Sequence, residues 1–245
     1  MSVAAGADNT SNRELWVQRL GRVPYAEALS LQRTLAASRI TGALPQDVLL
    51  LVEHPPVVTL GRSAKEQHLL ASPELLTRRG VEVFDVERGG DVTFHGPGQL
   101  VGYPIIDLKR HRQDLHWYLR QVEDALIRAL AMLGIDAGRN AGYTGVWTGE
   151  ATRKIASIGV HARDWVTWHG FALNVTTDLS FFDLIVPCGI QAVEMTSISR
   201  ELADDVAWDV VETAVSRAFG DVFALEPIAA LPAVEQLGSF IAPAR

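Results

Sequence analysis

The amino-acid sequence predicts an α/β (α+β) protein in which helices pack on a mixed β-sheet. Two observations support this class. Short apolar or alternating segments of strand length recur along the chain, between a few longer segments whose apolar residues repeat with helical spacing. The helical segments lie among the strands without alternating strictly with them, which favours a mixed sheet over a doubly wound parallel fold.

In the first half of the chain, strands are predicted at 15–20, 48–52, 57–60 and 81–84, and helices at 24–42 and 73–79. Pro24 suits the first position of a helix, and Gly42 lies where that helix should end. Val48 to Val52 is an unbroken apolar run, which is typical of a strand buried on both faces. Pro55 and Pro56 then separate this strand from the next.

In the second half, strands are predicted at 100–108, 146–147, 154–160, 165–168 and 171–175, and helices at 114–133 and 208–219. The first of these helices is amphipathic, with Leu115, Leu119, Val122 and further apolar residues on one face, and Gly134 ends it. A chain of 245 residues fits one domain. We expect that domain at 13–230, with a disordered N-terminal extension at 1–12 and a C-terminal tail at 231–245.

Charge and composition restrict the possible partners. The net charge is −7, which argues against a general nucleic-acid binder and against a polybasic membrane anchor. The first twelve residues lack the features of a secretory signal, and no apolar run reaches the roughly 18 residues of a membrane span. The single cysteine excludes an internal disulfide. These features predict a cytoplasmic protein that binds neither nucleic acid nor membrane.

Several common catalytic motifs are absent from the sequence. It contains no G-x-S-x-G elbow, no phosphate loop, no dinucleotide fingerprint and no H-E-x-x-H. Its seven histidines are scattered without metal-ligand spacing. We therefore expect neither a metal nor a cofactor.

Cys188 and Lys154 are the candidate reactive residues. A lone cytosolic cysteine is commonly a small buried apolar residue. Cys188, however, lies between Pro187 and Gly189 in a predicted loop, where we expect free backbone amides and where a thiolate could attack a thioester. Lys154 is one of three lysines beside nineteen arginines. An amine can both stabilise a thiolate and exchange a proton, whereas arginine does only the first; the alternative is a strand lysine that faces solvent.

Two further segments could form a binding site. Arg88 to Gln99 is rich in glycine, which would let the backbone approach an acyl chain or a carbonyl oxygen closely. Its alternative is an ordinary connection between strands. Trp168 to Val175 places small residues beside aromatic ones, which suits a narrow apolar slot and equally suits ordinary sheet packing.

These motifs, in this order, closely resemble the lipoyl(octanoyl) transferase family, also called octanoyl-[acyl carrier protein]:protein N-octanoyltransferases. The segments that carry the resemblance are Arg88–Gln99, Lys154–Gly159, His169–Val175 and Pro187–Gly189, within about Pro45 to Ser199. The resemblance implies the catalytic fold of the biotin and lipoate protein ligases. It also implies an acyltransferase that moves octanoyl from acyl carrier protein to a lysine of lipoyl domains, in 2-oxoacid dehydrogenase E2 subunits or the glycine cleavage H protein. This is the first step of endogenous protein lipoylation.

The resemblance also implies roles for residues. Cys188 would carry the acyl thioester, Lys154 would be its cationic and acid–base partner, and His95 would assist proton transfer. Three segments would bind the acyl group: Arg88, Gly89, Gly90, Asp91, Val92, Thr93, Phe94 and His95; Ser157, Ile158 and Gly159; and Gly170, Phe171 and Ala172. Phe171 stands where the family often has leucine, which could narrow the acyl slot.

Acyl carrier proteins are acidic, so an acidic enzyme needs a local positive surface to dock one. The candidates are Lys109–Arg112, Arg78–Arg79, and Arg62 with Lys65, although each could be an ordinary solvated surface. We expect a monomer. Three alternative functions remain: an ATP-dependent lipoate or biotin ligase on the same fold, a non-catalytic protein that binds lipoyl domains or carriers, and a cysteine hydrolase.

Overall fold

The computed structural model describes residues 13–190 and 193–229. Within them the helices are α1 (Tyr25–Thr41), α2 (Pro73–Arg78), α3 (Leu115–Met132), α4 (Ile198–Leu202) and α5 (Trp208–Phe223). The strands are β1 (Glu14–Arg22), β2 (Asp47–Glu53), β3 (Val57–Leu60), β4 (Glu82–Asp85), β5 (Val92–His95), β6 (Gln99–Ile105), β7 (Gly138–Asn140), β8 (Tyr143–Thr148), β9 (Arg153–Arg163), β10 (Val166–Asn174), β11 (Glu194–Met195) and β12 (Glu226–Ala229). The predicted N-terminal extension and C-terminal tail lie outside the described residues.

The strands form one large and one small sheet. The large sheet has the order β12-β1-β2-β6-β10-β9-β8-β7, and β11 pairs with β9. Strand β1 runs parallel to both β2 and β12, whereas β2, β6, β10, β9 and β8 pair antiparallel in turn. The small sheet has the order β4-β3-β5. The predicted mixed sheet with packed helices is therefore confirmed.

Strand β2 explains why its sequence is apolar without interruption. Leu49 and Leu51 face the cluster formed with α3 and α5, whereas Val48, Leu50 and Val52 face the cluster formed with α1. All five are at most 2% exposed. Helices thus cover both faces of the large sheet, which is the arrangement that removes the polar side of a strand.

The glycine-rich segment 88–99 is more ordered than a connection between strands. Its middle forms β5, which pairs antiparallel with β3. Val92 and Phe94 point into a cluster behind the small sheet, while Thr93 and His95 point to the other side. The alternation of β5 therefore divides the motif into a packing face and a face that is free for a ligand.

The two strands predicted at 165–168 and 171–175 are one continuous strand, β10. His169 has a left-handed backbone with φ of 55°, yet the pairing with β9 keeps its register through His169 and Gly170. Trp165 belongs to the preceding turn, with φ of 64°. In the described part of the chain, no helix is both long and apolar enough to cross a membrane.

Candidate active site

A cavity of about 390 Å³ lies between the small sheet and the β9–β10 region of the large sheet. Its size falls within the range of small-molecule sites. The backbone N–H of Gly89 donates to the carbonyl of Val160 at 2.8 Å and joins the two walls. A side chain at Gly159 would lie 2.8 Å from the carbonyl oxygen of Gly89. Gly159 is thus the position that lets the segment 88–91 lie against β9.

Cys188 and Lys154 meet in this cavity. The Nζ of Lys154 lies 3.3 Å from the Sγ of Cys188, and the Oγ of Ser157 lies 3.8 Å from the same sulfur. Lys154 is 1% exposed, so the predicted alternative of a strand lysine facing solvent is wrong. A buried ammonium needs a compensating group, which a thiolate at Cys188 would supply.

The surroundings of Lys154 fix its amine. The Nζ lies 5.2 Å from the centre of the Trp147 ring, within reach of a cation–π interaction. Gly145 has φ of 134°, and a Cβ there would lie 2.7 Å from the Cε of Lys154. The N–H of Thr196 donates to the carbonyl of Lys154 at 2.9 Å. The lysine is therefore held from the neighbouring strand β8 and from β11.

The loop that carries Cys188 is also constrained. Cys188 has a left-handed backbone, φ 55°, which is uncommon for a residue with a side chain and is often found at functional sites. Next to it, a Cβ on Gly189 would lie 2.6 Å from a carboxylate oxygen of Asp91. That oxygen is 2.6 Å from the Nδ1 of His68. The pair of half-buried His68 and buried Asp91 thus lies directly behind the loop of Cys188.

The expectation of free backbone amides in this loop is wrong for two of them. The N–H of Gly189 donates to Val186 and the N–H of Ile190 donates to Pro187, each at 3.0 Å. These two amides are consumed by the tight turn, so they are not free donors for a substrate.

Arg88 brings a second buried cation to the cavity. Its guanidinium donates to the carbonyl of Thr59 at 2.6 Å and to the Thr59 hydroxyl at 2.9 Å. Burial lowers the pKa of Arg88, and the nearby Cys188 offsets part of that effect. Because arginine stays charged in proteins, the guanidinium of Arg88 acts on the sulfur as a fixed cation, in addition to the amine of Lys154.

His95 lies in a neutral, hydrogen-bonded environment. Its Nδ1 is 2.8 Å from the Oε1 of Gln99, whose Nε2 donates to Asn174 at 2.9 Å. This orientation of Gln99 makes the Nδ1 of His95 the donor and leaves Nε2 with the lone pair. Burial lowers the pKa of His95 to about 3. The imidazole is therefore neutral at physiological pH.

Aromatic side chains surround His95 in the cavity. The Tyr25 ring stacks on His95 with the centroids 6.1 Å apart, and the Tyr103 hydroxyl lies 2.7 Å from the Nε2 of His54. Burial raises the pKa of Tyr25 to about 12 and lowers that of His54 to about 4. These groups are therefore uncharged and can act as hydrogen-bond partners without attracting ions.

The structure brings most of the predicted site residues together. The predicted residues that line the cavity are Arg88, Gly89, Gly90, Asp91, Thr93, His95, Lys154, Ser157, Ile158, Gly159, Gly170, Phe171, Ala172 and Cys188. Val92 and Phe94 do not line it, because they occupy the packing face of β5. Phe171 is 2% exposed and packs against the core helices, with its ring 5.4 Å from Phe219.

Sequence reasoning missed several residues of the cavity. Tyr25, Tyr103 and Tyr143 line it, as do Leu115 and Leu119 at the start of α3. The two leucines extend the apolar stripe of α3 past the core into the cavity, and Leu115 is 39% exposed. An apolar stripe indicates a buried face and cannot distinguish a core from a binding site. Among the described residues, no three His, Cys, Asp or Glu side chains are grouped to hold a metal ion.

Comparison with known proteins gives consistent results. The family model of the lipoyl protein ligase A/B catalytic domain matches residues 24–220. An octanoyltransferase from Myxococcus xanthus is 50% identical over 220 residues, which is 88% of this chain and 61% of the relative. The chain thus spans less than two thirds of that relative's length. An octanoyltransferase from Koribacter versatilis is 51% identical over 210 residues, covering 84% of this chain and 83% of the relative.

Solved structures with the same fold are more distant in sequence. A lipoate-protein ligase A bound with ATP has a TM-score of 0.75 at 18% identity, covering 93% of this chain and 92% of that one. The putative lipoate protein ligase Ta0514 from T. acidophilum, with bound lipoic acid, has a TM-score of 0.73 at 19% identity, with the same coverage. At this identity the likeness establishes the fold alone, which is the fold predicted from the sequence.

Proposed function

The chain belongs to the lipoyl protein ligase A/B catalytic family and, within it, to the octanoyltransferases, and we propose that it carries the octanoyl group as a thioester on Cys188. The donor is octanoyl-acyl carrier protein, and the acceptor is a lysine of a lipoyl domain in E2 subunits or the H protein. The supporting observation is the 3.3 Å contact between Lys154 and Cys188 inside the cavity. No metal or cofactor takes part in these steps.

The first half-reaction acylates the enzyme. The Cys188 thiolate attacks the carbonyl carbon of the donor thioester, and the bond between that carbon and the donor sulfur breaks. The Lys154 ammonium gives its proton to the departing thiolate, so that a neutral donor thiol leaves. The buried charges of Lys154 and Arg88 favour the oxyanion that forms on the way, because they are fixed before the reaction begins.

The second half-reaction transfers the acyl group. Once Cys188 is acylated, its sulfur carries no negative charge, and Lys154, which gave up a proton in the first half-reaction, is a neutral amine. The acceptor lysine loses one proton to solvent as it enters, attacks the Cys188 thioester, and gives a second proton to Lys154. The bond to sulfur breaks and the thiolate–ammonium pair is restored. Arginine could not perform this exchange, since its guanidinium does not release a proton.

His95 has a different part in this scheme from the one first expected. With a pKa of about 3, its imidazole is too weak a base to hold the acceptor's proton at neutral pH. Its Nε2 can still accept a hydrogen bond in the cavity. We therefore assign His95 to positioning and Lys154 to proton transfer.

An intact mass spectrum after incubation with octanoyl-acyl carrier protein, without ATP, tests the proposal. We expect an added octanoyl group that hydroxylamine removes and that Cys188→Ser abolishes. Subsequent addition of a lipoyl domain should move the group to the acceptor. Transfer that appears only with free octanoate and ATP would instead make the chain a ligase, with Cys188 outside the reaction.

A further inference from the structure

We propose that the mouth of the cavity is a docking surface for an acidic carrier protein, with Arg62 and Lys65 on one side and Arg120 and Arg139 on the other. The inference rests on the proposed function, because it names the part of the enzyme that receives the acyl donor. It selects one of the three basic clusters seen in the sequence and adds a second cluster that the sequence did not reveal.

Arg62 and Lys65 lie next to segment 88–91, which forms one wall of the cavity. The N–H of Arg62 donates to the carbonyl of Arg88, and the N–H of Ser63 donates to that of Gly90, each at 3.0 Å. Arg62 also lies close enough to β9 to add to burial in lowering the pKa of His161. Lys65 begins the turn that carries His68, which contacts the wall residue Asp91. The two cations therefore flank one rim of the cavity.

Both side chains are free to meet a partner. Arg62 and Lys65 are exposed, and neither forms an ion pair with a carboxylate within residues 13–190 and 193–229. The exposed Glu66 follows them, so one carboxylate stands beside two cations. The chain as a whole carries a net charge of −7. An exposed positive surface at this place would therefore attract an acidic partner locally.

Near the cavity-lining residues Leu119 and 142–144, two arginines share a buried carboxylate. Arg120 and Arg139 lie 2.6 and 2.9 Å from the same Glu123 oxygen, and the other oxygen accepts the N–H of Gly145 at 3.1 Å. The side chain of Glu123 is fully buried, whereas those of Arg120 and Arg139 are 53% and 39% exposed. The surface therefore presents two guanidiniums whose shared counter-charge, Glu123, is hidden, and Arg139 also lies 3.5 Å from the half-buried Asp124. Gly145 directly follows the rim residues 142–144.

The other basic clusters are less suited to docking. Lys109 lies 3.7 Å from the buried Asp107 and Arg112 lies 3.2 Å from the half-buried Asp114, so each is already paired with a carboxylate, whereas Arg62 and Lys65 are not in the described part of the chain. Arg79 lies over the ring of Phe181, behind the small sheet. Within the described residues, no hydrogen bond or ion pair joins Arg78 or Arg79 to a segment that lines the cavity, whereas Arg112 pairs with Asp114, which directly precedes the cavity-lining Leu115.

Apolar groups lie between the two basic rims. Tyr143 and Leu115 line the cavity and are 47% and 39% exposed. A mouth with charged sides and an apolar centre has the usual anatomy of a protein interface. The partner that complements this positive charge is an acidic carrier protein, whose acyl group would enter the cavity at the end of its phosphopantetheine arm.

The test measures acylation of the double variant Arg62→Glu/Lys65→Glu with two different acyl donors. Intact mass spectrometry follows the octanoyl adduct. With octanoyl-acyl carrier protein we expect KM to rise about 10-fold or more and its dependence on salt up to about 0.5 M NaCl to weaken. With octanoyl-pantetheine, which has no protein surface, KM should stay at the wild-type value. Arg120→Gln, which leaves Arg139 on Glu123, should raise only the carrier KM, by about 2- to 5-fold.

Arg78→Glu/Arg79→Glu is the matched control, because it makes the same change in net charge in the cluster behind the small sheet, where Arg79 lies over the ring of Phe181. It should leave both donors unaffected. An unchanged carrier KM in Arg62→Glu/Lys65→Glu would overturn the proposal, as would an equal loss with both donors. A defect confined to transfer onto the lipoyl domain would also overturn it, by assigning the rim to the acceptor. If the wild-type enzyme formed no adduct with either donor, the proposed function itself would fail.

Discussion

Replacing Lys154 separates the two roles assigned to it. Lys154→Met removes the charge and the exchangeable proton while keeping an unbranched side chain. At 3.3 Å, a thiolate–ammonium attraction is about 5 kcal/mol at an effective dielectric constant of 20. Desolvation of the buried ammonium offsets part of this. We therefore expect a net loss of about 3 kcal/mol, or about 10²-fold in the acylation rate.

Alkylation by iodoacetamide gives an independent measurement, because Cys188 is the single cysteine of the chain. An isolated thiol is only about 3% thiolate at pH 7. If Lys154 holds Cys188 as thiolate, alkylation at pH 7 should fall about 30-fold in Lys154→Met. Wild-type alkylation and acylation rates in that variant would refute the thiolate–ammonium pair.

Lys154→Arg tests the proton. It keeps a positive charge, so acylation should continue at a reduced rate. It cannot release a proton, so transfer to the lipoyl domain should fall at least about 10²-fold and octanoyl-enzyme should accumulate. Full turnover in Lys154→Arg would show that another group accepts the proton.

Three further predictions concern stability and geometry. Gly145→Ala should destabilise the protein by about 1–3 kcal/mol and slow acylation, because φ of 134° strains alanine and its Cβ meets Lys154. Urea unfolding measures the stability, and the rate of adduct formation measures acylation. An unchanged rate would contradict the contact between residue 145 and Lys154. His95 has a pKa of about 3 when folded against an ordinary value of 6.5, so the unfolded chain binds the proton first and stability falls as pH drops from about 6.5 towards 3. His95→Gln should remove about 1.4 kcal/mol per pH unit from that slope, and an identical slope would show that His95 is not buried neutral. The hydrogen bond with Arg153 lowers the pKa of Glu201 to about 2, so the stabilisation from the Glu201 carboxylate is complete above about pH 4.5 and is lost as the pH falls towards 2. Glu201→Gln should lower the free energy of unfolding by about 2–3 kcal/mol at pH 7 and leave it unchanged at the acidic limit. A difference that stays constant across pH would refute the linkage.

Element types followed from the sequence more closely than their limits. The run Val48–Val52 correctly predicted a strand buried on both faces, and the stripe of α3 correctly predicted a core helix. The sequence did not indicate that β10 continues through His169, because a left-handed residue inside a paired strand is permitted only by the neighbouring strands. It also did not predict β7, β11, β12 or α4, whose segments are too short for a periodic pattern.

The candidate site was likewise predicted only in part from the sequence. Pro187–Gly189 and Lys154 were predicted to be reactive from residue type, yet the contact between Lys154 and Cys188 joins residues 34 positions apart. The occupied amides of Gly189 and Ile190, and the pKa of His95, depend on turn geometry and burial that no local pattern contains. Tyr25, Tyr143 and Leu115 have ordinary sequence contexts and were found only in the structure.

The sequence by itself determined the family and the mixed sheet, and it pointed to the two residues to which we assign the chemistry. These properties are written in residue type, in spacing along the chain and in motif order, all of which are local. Only the tertiary structure decided that the amine of Lys154 is buried against Cys188, that His95 is neutral, and that a buried Glu123 holds two arginines at the cavity mouth. The physical reason is that charge state and accessibility depend on the distance to groups from distant parts of the chain, and folding alone sets those distances.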